Sequence, residues 1–370
     1  MIPLHLPSLG EEEARASAEV IATGWVTQGP KVAELERLFA ARVGAAHGVA
    51  VSNCTAALHL SLVALGVSAG DEVIVPSMSF IATANAVRHT GATPVFAEVD
   101  PRTFNLDLEA TERAITKRTK VILPVHQVGL PCDVDAFIAL ANKHGVAILE
   151  DAACAIGSEY KGRPIGGDAP ACFSFHPRKV LTTGEGGMIT TNDAALAEKL
   201  RLLRQHGMNV RDTDRHAAKK VIIEEYVLVG FNQRMTDIQA AIGIAQLAKL
   251  DGILARRRAL AARYAEAFAK HPWLRAPHVP SYAKPNFQSY ATTLADDAPI
   301  ERNDLMQRML DRGIATRRGI MLSHREPPYA GTAVLPVSEK ASDRSLLLPL
   351  FPQLTEAQQD EVIAALFEVA

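Results

Sequence analysis

Five short apolar runs punctuate the first 150 residues, at 48–51, 72–75, 94–99, 120–125 and 146–149. They lack the polar–apolar alternation of a half-exposed strand, and so predict strands buried on both faces. Between them, apolar positions recur at helical spacing over 55–65, 108–115 and 134–144. This alternation predicts an α/β fold with a mostly parallel sheet covered by helices. Two more runs follow, at 171–175 and 187–190. A polar, charged stretch over 211–220 breaks the pattern and reads as a mobile surface loop. From 236 to about 270 the spacing is helical throughout, with Ile238, Ile242, Leu247, Leu250, Leu254 and Leu260 along it. That segment predicts the link from a large domain to a small one. Beyond 275, short strands and helices mixed with prolines predict a compact α+β unit. The expected division is 1–250 for the large domain and 251–370 for the small C-terminal one.

Composition alters this picture little. The chain has 370 residues, enough for two such units, with 48% hydrophobic and 22% charged residues. A net charge of −2 supplies no global field to recruit nucleic acid or an anionic membrane. Cys54, Cys132, Cys154 and Cys172 form no CxxC pair and no metal-ligand spacing with histidine. Free thiols in a reducing cytoplasm, and no metal, are therefore expected. The first seven residues do not read as a secretion signal, and no uncharged apolar run is long enough to cross a bilayer.

In an open parallel sheet, ligands bind at the carboxyl ends of the strands, so the residues following each run are the candidates. After the first run come Ser52, Asn53, Cys54, Thr55 and Ala56. Ser and Asn are good helix N-caps, and free amides at a helix start attract anions. Taken alone, the segment reads better as an ordinary capped helix. Phe80, after the second run, has the shape to stack on a flat heteroaromatic ring or simply to fill core. Glu150 and Asp151 end the run at 146–149; two carboxylates there are costly unless paired. Asp151 suits a cationic ring nitrogen, or a cap on the segment after it.

The decisive segment is Phe173-Ser174-Phe175-His176-Pro177-Arg178-Lys179, followed by Gly184-Glu185-Gly186-Gly187. An apolar strand runs through a proline into a lysine and then a glycine-rich turn. In a partly dry cleft the ammonium form of Lys179 is disfavoured, which leaves a nucleophilic amine. His176 reads as a satisfied, buried histidine beside it.

Taken together these segments resemble the DegT/DnrJ/EryC1/StrS sugar aminotransferases, within the aspartate-aminotransferase-like fold type I of PLP-dependent transferases. The likeness spans nearly the whole chain. It is carried by 24–30 (GWVTQGP), 70–76 (GDEVIVP), 150–153 (EDAA), 174–179 (SFHPRK), 184–187 (GEGG) and 230–236 (GFNQRMT). The resemblance implies pyridoxal 5′-phosphate as cofactor, held by Lys179 as a Schiff base, with Asp151 on its ring nitrogen and Phe80 over its ring. It implies a phosphate cradle of Thr55, Ala56 and Ser174. Asn232 would reach the phosphate of the other subunit in a homodimer with shared active sites. Thr27 is placed among the substrate contacts. Cys154 departs from the family pattern, which commonly has Gln or His there to contact the cofactor's phenolic oxygen; a thiol is a poor donor. A sister group of dehydratases carries His in place of the lysine, so Lys179 implies amino transfer.

The same resemblance implies L-glutamate as donor and a nucleotide-linked keto-sugar as acceptor. A 4-keto-6-deoxyhexose is the preferred acceptor, with carbon 4 favoured over carbon 3. Arg317 and Arg318 are the local candidates for gripping its phosphates, though the stretch from Thr316 to Arg325 also reads as a solvated basic surface. His324 is placed near the sugar. The competing readings are a lyase or desulfurase with the same cofactor, and a cofactor-binding regulator. No persulfide loop and no basic DNA-binding helix support those.

Overall fold

The computed structural model describes residues 1–210 and 218–368. Residues 211–217 of the expected loop lie outside the described residues. The strands of the first half are β1 (His47–Val51), β2 (Glu72–Pro76), β3 (Thr93–Ala97), β4 (Thr119–Ile122), β5 (Ala147–Ile148) and β6 (Glu150–Asp151). Next come β7 (Glu159–Tyr160), β8 (Arg163–Pro164), β9 (Ala171–Ser174) and β10 (Gly187–Thr191). One half of the main sheet has the order β3-β2-β4-β5 and is wholly parallel. The other half has the order β1-β10-β9-β6. The halves join because β5 and β6 are one strand interrupted at Leu149. The Leu149 amide donates to Ile122 O (3.1 Å) and the Asp151 amide to Pro124 O (2.9 Å). In the joined sheet only β10 runs against its neighbours β9 and β1.

The continuous apolar runs are explained by burial on both faces. Val73 and Val75 enter one core cluster and Ile74 the other, each fully buried. Burying each such side chain contributes roughly 1.5–3 kcal/mol. The runs at 94–99 and 120–125 end as strands at Ala97 and Ile122, earlier than expected. Beyond Ile122 the chain still follows its neighbours, but Pro124 has no N–H to donate. Helices α1 (Glu11–Thr23), α2 (Pro30–Val43), α3 (Cys54–Ala64), α4 (Ala82–His89), α5 (Leu108–Ala114), α6 (Val134–His144) and α7 (Ala194–Leu203) belong to this half. The segments read as helical, 55–65, 108–115 and 134–144, correspond to α3, α5 and α6.

Helix Asp237–Phe268 runs 32 residues from the main sheet to a second unit. Its start is fixed by a reciprocal cap: Gln239 N donates to Thr236 Oγ1 (3.2 Å), and Thr236 N donates to Gln239 Oε1 (3.0 Å). By length and composition it is apolar enough to cross a bilayer. Its packing against α1 and α2, and the buried Arg257 within it, mark it instead as a core helix. The second unit is an antiparallel sheet of order β11-β13-β15-β14, from β11 (Leu274–Arg275), β13 (Tyr290–Leu294), β14 (Arg317–Arg318) and β15 (Ser345–Leu348). β12 (Ala283–Lys284) instead pairs with β7. Leu260, Tyr264 and Phe268 of the long helix share a core with Trp273, Tyr290 and Leu346. Ile2 enters this same core, bridged to Ile314, so the first residues of the chain pack with the last hundred.

Candidate active site

The carboxyl ends of β1, β2, β6 and β9 converge on one edge of the main sheet. Strand alternation sends the two adjacent carboxylates to different partners. Glu150 faces His126, whose Nε2 lies 3.3 Å from Glu150 Oε2. Asp151 faces the lysine side. Its Oδ2 accepts from Thr83 Oγ1 at 2.8 Å and its Oδ1 from the Ala153 amide at 3.1 Å. Thr83 is itself 2.8 Å from Ser79 Oγ. Asp151 thus both tethers its own following turn and remains directed at the site; the two readings of its role are compatible. Burial pushes its carboxyl pKa up, against the Thr83 and Ala153 hydrogen bonds and the Lys179 charge. A cationic partner is what such a carboxylate lacks.

Lys179 follows β9, in a turn closed by its own amide donating to His176 O (2.8 Å). Its Nζ lies 3.1 Å from Cys154 Sγ. The expected depression of its pKa is not what its neighbours produce. Burial does oppose the ammonium, but Cys154, Cys54 and Asp151 outweigh it and the net direction is upward. Only a partner that draws the Nζ away from these neighbours restores a neutral amine. His176 is half-buried, with Nδ1 accepting from the Arg178 amide at 3.2 Å, as expected of a satisfied histidine.

The start of α3 is capped by Asn53, whose Oδ1 accepts from the Ala56 amide at 2.8 Å. Ala56 N–H is therefore already engaged, which narrows the expected phosphate cradle to the amides before it and to Thr55. The Thr55 hydroxyl has no partner among the described residues. This close approach depends on Gly187, where a Cβ would sit 2.7 Å from the Asn53 carbonyl. Ser174 is buried at the end of β9, its Oγ accepting from the His176 amide at 3.4 Å. Phe80 is 68% exposed just before α4, an aromatic face without a ring partner among the described residues.

The remaining candidates sit apart from these. Thr27 is exposed in a loop pinned by Asp237, which accepts from the amides of Gly29, Lys31 and Val32 (2.9, 3.1 and 2.9 Å). Asn232 is exposed, and its side chain has no partner among the described residues. Arg317 and Arg318 form β14 and are exposed; Arg318 is 3.3 Å from Glu326. His324 does not offer a free nitrogen to a sugar. It is buried, with Nδ1 2.6 Å from Ser77 Oγ and Nε2 3.1 Å from Glu339 Oε1. It fastens the loop after β14 to the end of β2 instead. Thr83 and Gln288 act at the site without having been singled out in the sequence. Asn53 is signalled by its N-cap propensity.

The donor set fits the expected cofactor. A buried carboxylate with no ion pair and a hydroxyl at a helix start with no partner among the described residues, an amine in reach of that pocket and an exposed aromatic ring are the complements of a pyridinium, a phosphate, an aldehyde and a flat ring.

Comparison with known proteins agrees. The model of the DegT/DnrJ/EryC1/StrS aminotransferase family matches residues 7–367. DesV of S. venezuelae, solved with a ketimine intermediate, is 38% identical with a TM-score of 0.89, over 97% of this chain and 94% of that one. The PLP form of Spr1654 from Streptococcus pneumoniae is 30% identical with a TM-score of 0.92, over 100% of this chain and 98% of that one. Helicobacter pylori PseC, an aminotransferase in pseudoaminic acid biosynthesis, is 29% identical with a TM-score of 0.92, over the full length of both chains. The chain therefore belongs to the DegT/DnrJ/EryC1/StrS aminotransferase family and is a pyridoxal-phosphate-dependent aminotransferase of fold type I.

Proposed function

We propose that the chain moves an amino group from L-glutamate to the ketone of a nucleotide-linked sugar, a 4-keto-6-deoxyhexose aminated at carbon 4. The observation that carries the anionic handle is a crowd of cations beside Lys179. Arg178 is exposed, and the side chains of Arg178 and Arg317 have no partner among the described residues. Arg317 is depressed by burial and then by the charges of Arg178 and Arg318. Of the three cations only Arg318 is paired with a carboxylate among the described residues, Glu326, and a diphosphate relieves the remaining repulsion through forked hydrogen bonds. The description of Spr1654 as a sugar aminotransferase supports the same acceptor class.

Pyridoxal phosphate, when bound, supplies the electron sink for the α-carbon. The protein supplies position and protons. Asp151 holds a proton on the ring nitrogen by remaining ionised at its side. Thr83 and the Ala153 amide fix the carboxylate so that it need not reorganise. Thr55 and the first amides of α3 take the phosphate. Phe80 covers one ring face and excludes water from it. Lys179 Nζ would hold the cofactor at rest and be released when the donor's amine takes its place. As a free amine it takes the proton from the donor's α-carbon, and it later returns a proton to the acceptor's carbon. The cytoplasm supplies both substrates in this reading.

The working form is a homodimer. Val221, Ile223, Val227 and Val229 are 92, 84, 55 and 88% exposed in one short segment ending near Asn232. Four exposed apolar side chains within nine residues suit a covering partner. A second copy covering it would bring Asn232 to the neighbouring phosphate.

Holoenzyme mixed with L-glutamate should lose its visible cofactor band to the amine form, and a panel of keto-sugar nucleotides should restore it. NMR of the product then reads the carbon aminated. No response to any amino acid contradicts the reading, and recovery by simple keto acids alone removes the sugar from it.

A further inference from the structure

The two carbonyls immediately before Lys179 are each held by a side chain from a distant part of the sequence. His5 Nε2 donates to Pro177 O at 2.8 Å, and Gln288 Nε2 donates to Arg178 O at 2.8 Å. The turn bearing Cys154 is held from the same place. Asn286 Nδ2 donates to Cys154 O at 2.7 Å and to Ile156 O at 2.8 Å. Asn286 and Gln288 are fixed to each other, because the Gln288 amide donates to Asn286 Oδ1 at 2.8 Å. One tripeptide therefore grips both loops whose side chains meet at the 3.1 Å contact of Lys179 with Cys154.

Its conformation is costly. Phe287, between the two amides, has φ 51°, a left-handed backbone that bulky residues rarely adopt. Arg257 is fully buried and donates to the carbonyls of Phe287 (3.0 Å) and Gln288, with no carboxylate to neutralise it among the described residues. Burying a guanidinium against neutral carbonyls alone is expensive, and burial lowers its pKa to about 10. Gly129, at φ 92°, leaves the space: a Cβ there would lie 1.8 Å from Asn286 Oδ1. Strain, a buried charge and an obligatory glycine converge on the three residues that bridge the two reactive loops.

We propose that Asn286 and Gln288 are positioning residues for amino transfer, setting where the Lys179 amine sits by holding the carbonyls of Arg178 and Cys154. This rests on Lys179 being the reacting amine, which borohydride labelling of the wild-type holoenzyme checks separately. Gln288→Glu is the discriminating variant. It fills nearly the same space, but an ionised carboxylate cannot donate to Arg178 O. A packing role alone predicts a wild-type kcat, the added charge at most shifting the band; a positioning role predicts the kcat loss of Gln288→Ala.

Both variants are expected to move the pH midpoint of the visible cofactor band by about half a unit or more. They should lower kcat by about tenfold or more while KM for glutamate stays within roughly threefold. His5→Ala removes the sister bond to Pro177 O and should move the midpoint in the same direction by less. A wild-type kcat in Gln288→Glu overturns the proposal, whatever its midpoint. Should that variant not fold, wild-type midpoints in both Gln288→Ala and His5→Ala overturn it equally.

Discussion

In the proposed mechanism the chemistry turns on Asp151, a buried carboxylate held by Thr83 and the Ala153 amide. Burial raises its pKa, and its two hydrogen-bond donors only partly oppose that shift. A cationic ring nitrogen completes the compensation and in turn stays protonated. Asp151→Asn keeps the shape and loses the charge, so the Thr83 contact survives while the proton on the ring does not. Steady-state kinetics should show kcat down by about three orders of magnitude, roughly 4 kcal/mol of barrier. A near-normal rate would mean that another carboxylate has this role. At this scale the sequence was informative where residue type and position coincide. Asp151 ends β6 and Lys179 lies in the turn after β9, placements that follow from the apolar runs before them. The engagement of His324 by Ser77 and Glu339 could not be read there, because both partners are distant in sequence and nothing local marks them. The upward shift of Lys179 was likewise hidden, since it depends on the contact with Cys154.

At the scale of elements, the strands buried on both faces were visible as unbroken apolar runs, and α3, α5 and α6 as helical spacing. The position of β10 was not. Nothing in Gly187 to Thr191 distinguishes an antiparallel strand from a parallel one, and its direction follows from the short return after the Lys179 turn. Gly187 shows what that arrangement requires. Its missing Cβ lets β10 pass against Asn53, which places the start of α3 where a phosphate can meet it. The cap on α3 was legible, but not that it uses up the Ala56 amide. Helices α1, α2, α4 and α7 carry weaker signals, and α2 depends on the distant Asp237 to satisfy its first amides.

For the molecule as a whole, the link between the units and the contact between copies matter most. The first residues pack with the C-terminal core through Ile2, a long-range contact that no local pattern announces. Along 221–229 the apolar side chains lie in the open. Val229→Asp should therefore shift the enzyme toward monomer in sedimentation and lower its affinity for pyridoxal phosphate, because Asn232 of the second copy is lost to the site. An unchanged dimer with that variant would mean that another surface holds the copies together. Every role assigned above, from the Asp151 charge to the shared phosphate, presupposes a cofactor tethered at a single lysine. Borohydride reduction of the holoprotein followed by peptide mapping tests this most directly. The stable adduct is predicted on Lys179 alone; an adduct on any other lysine, or none, would contradict the account.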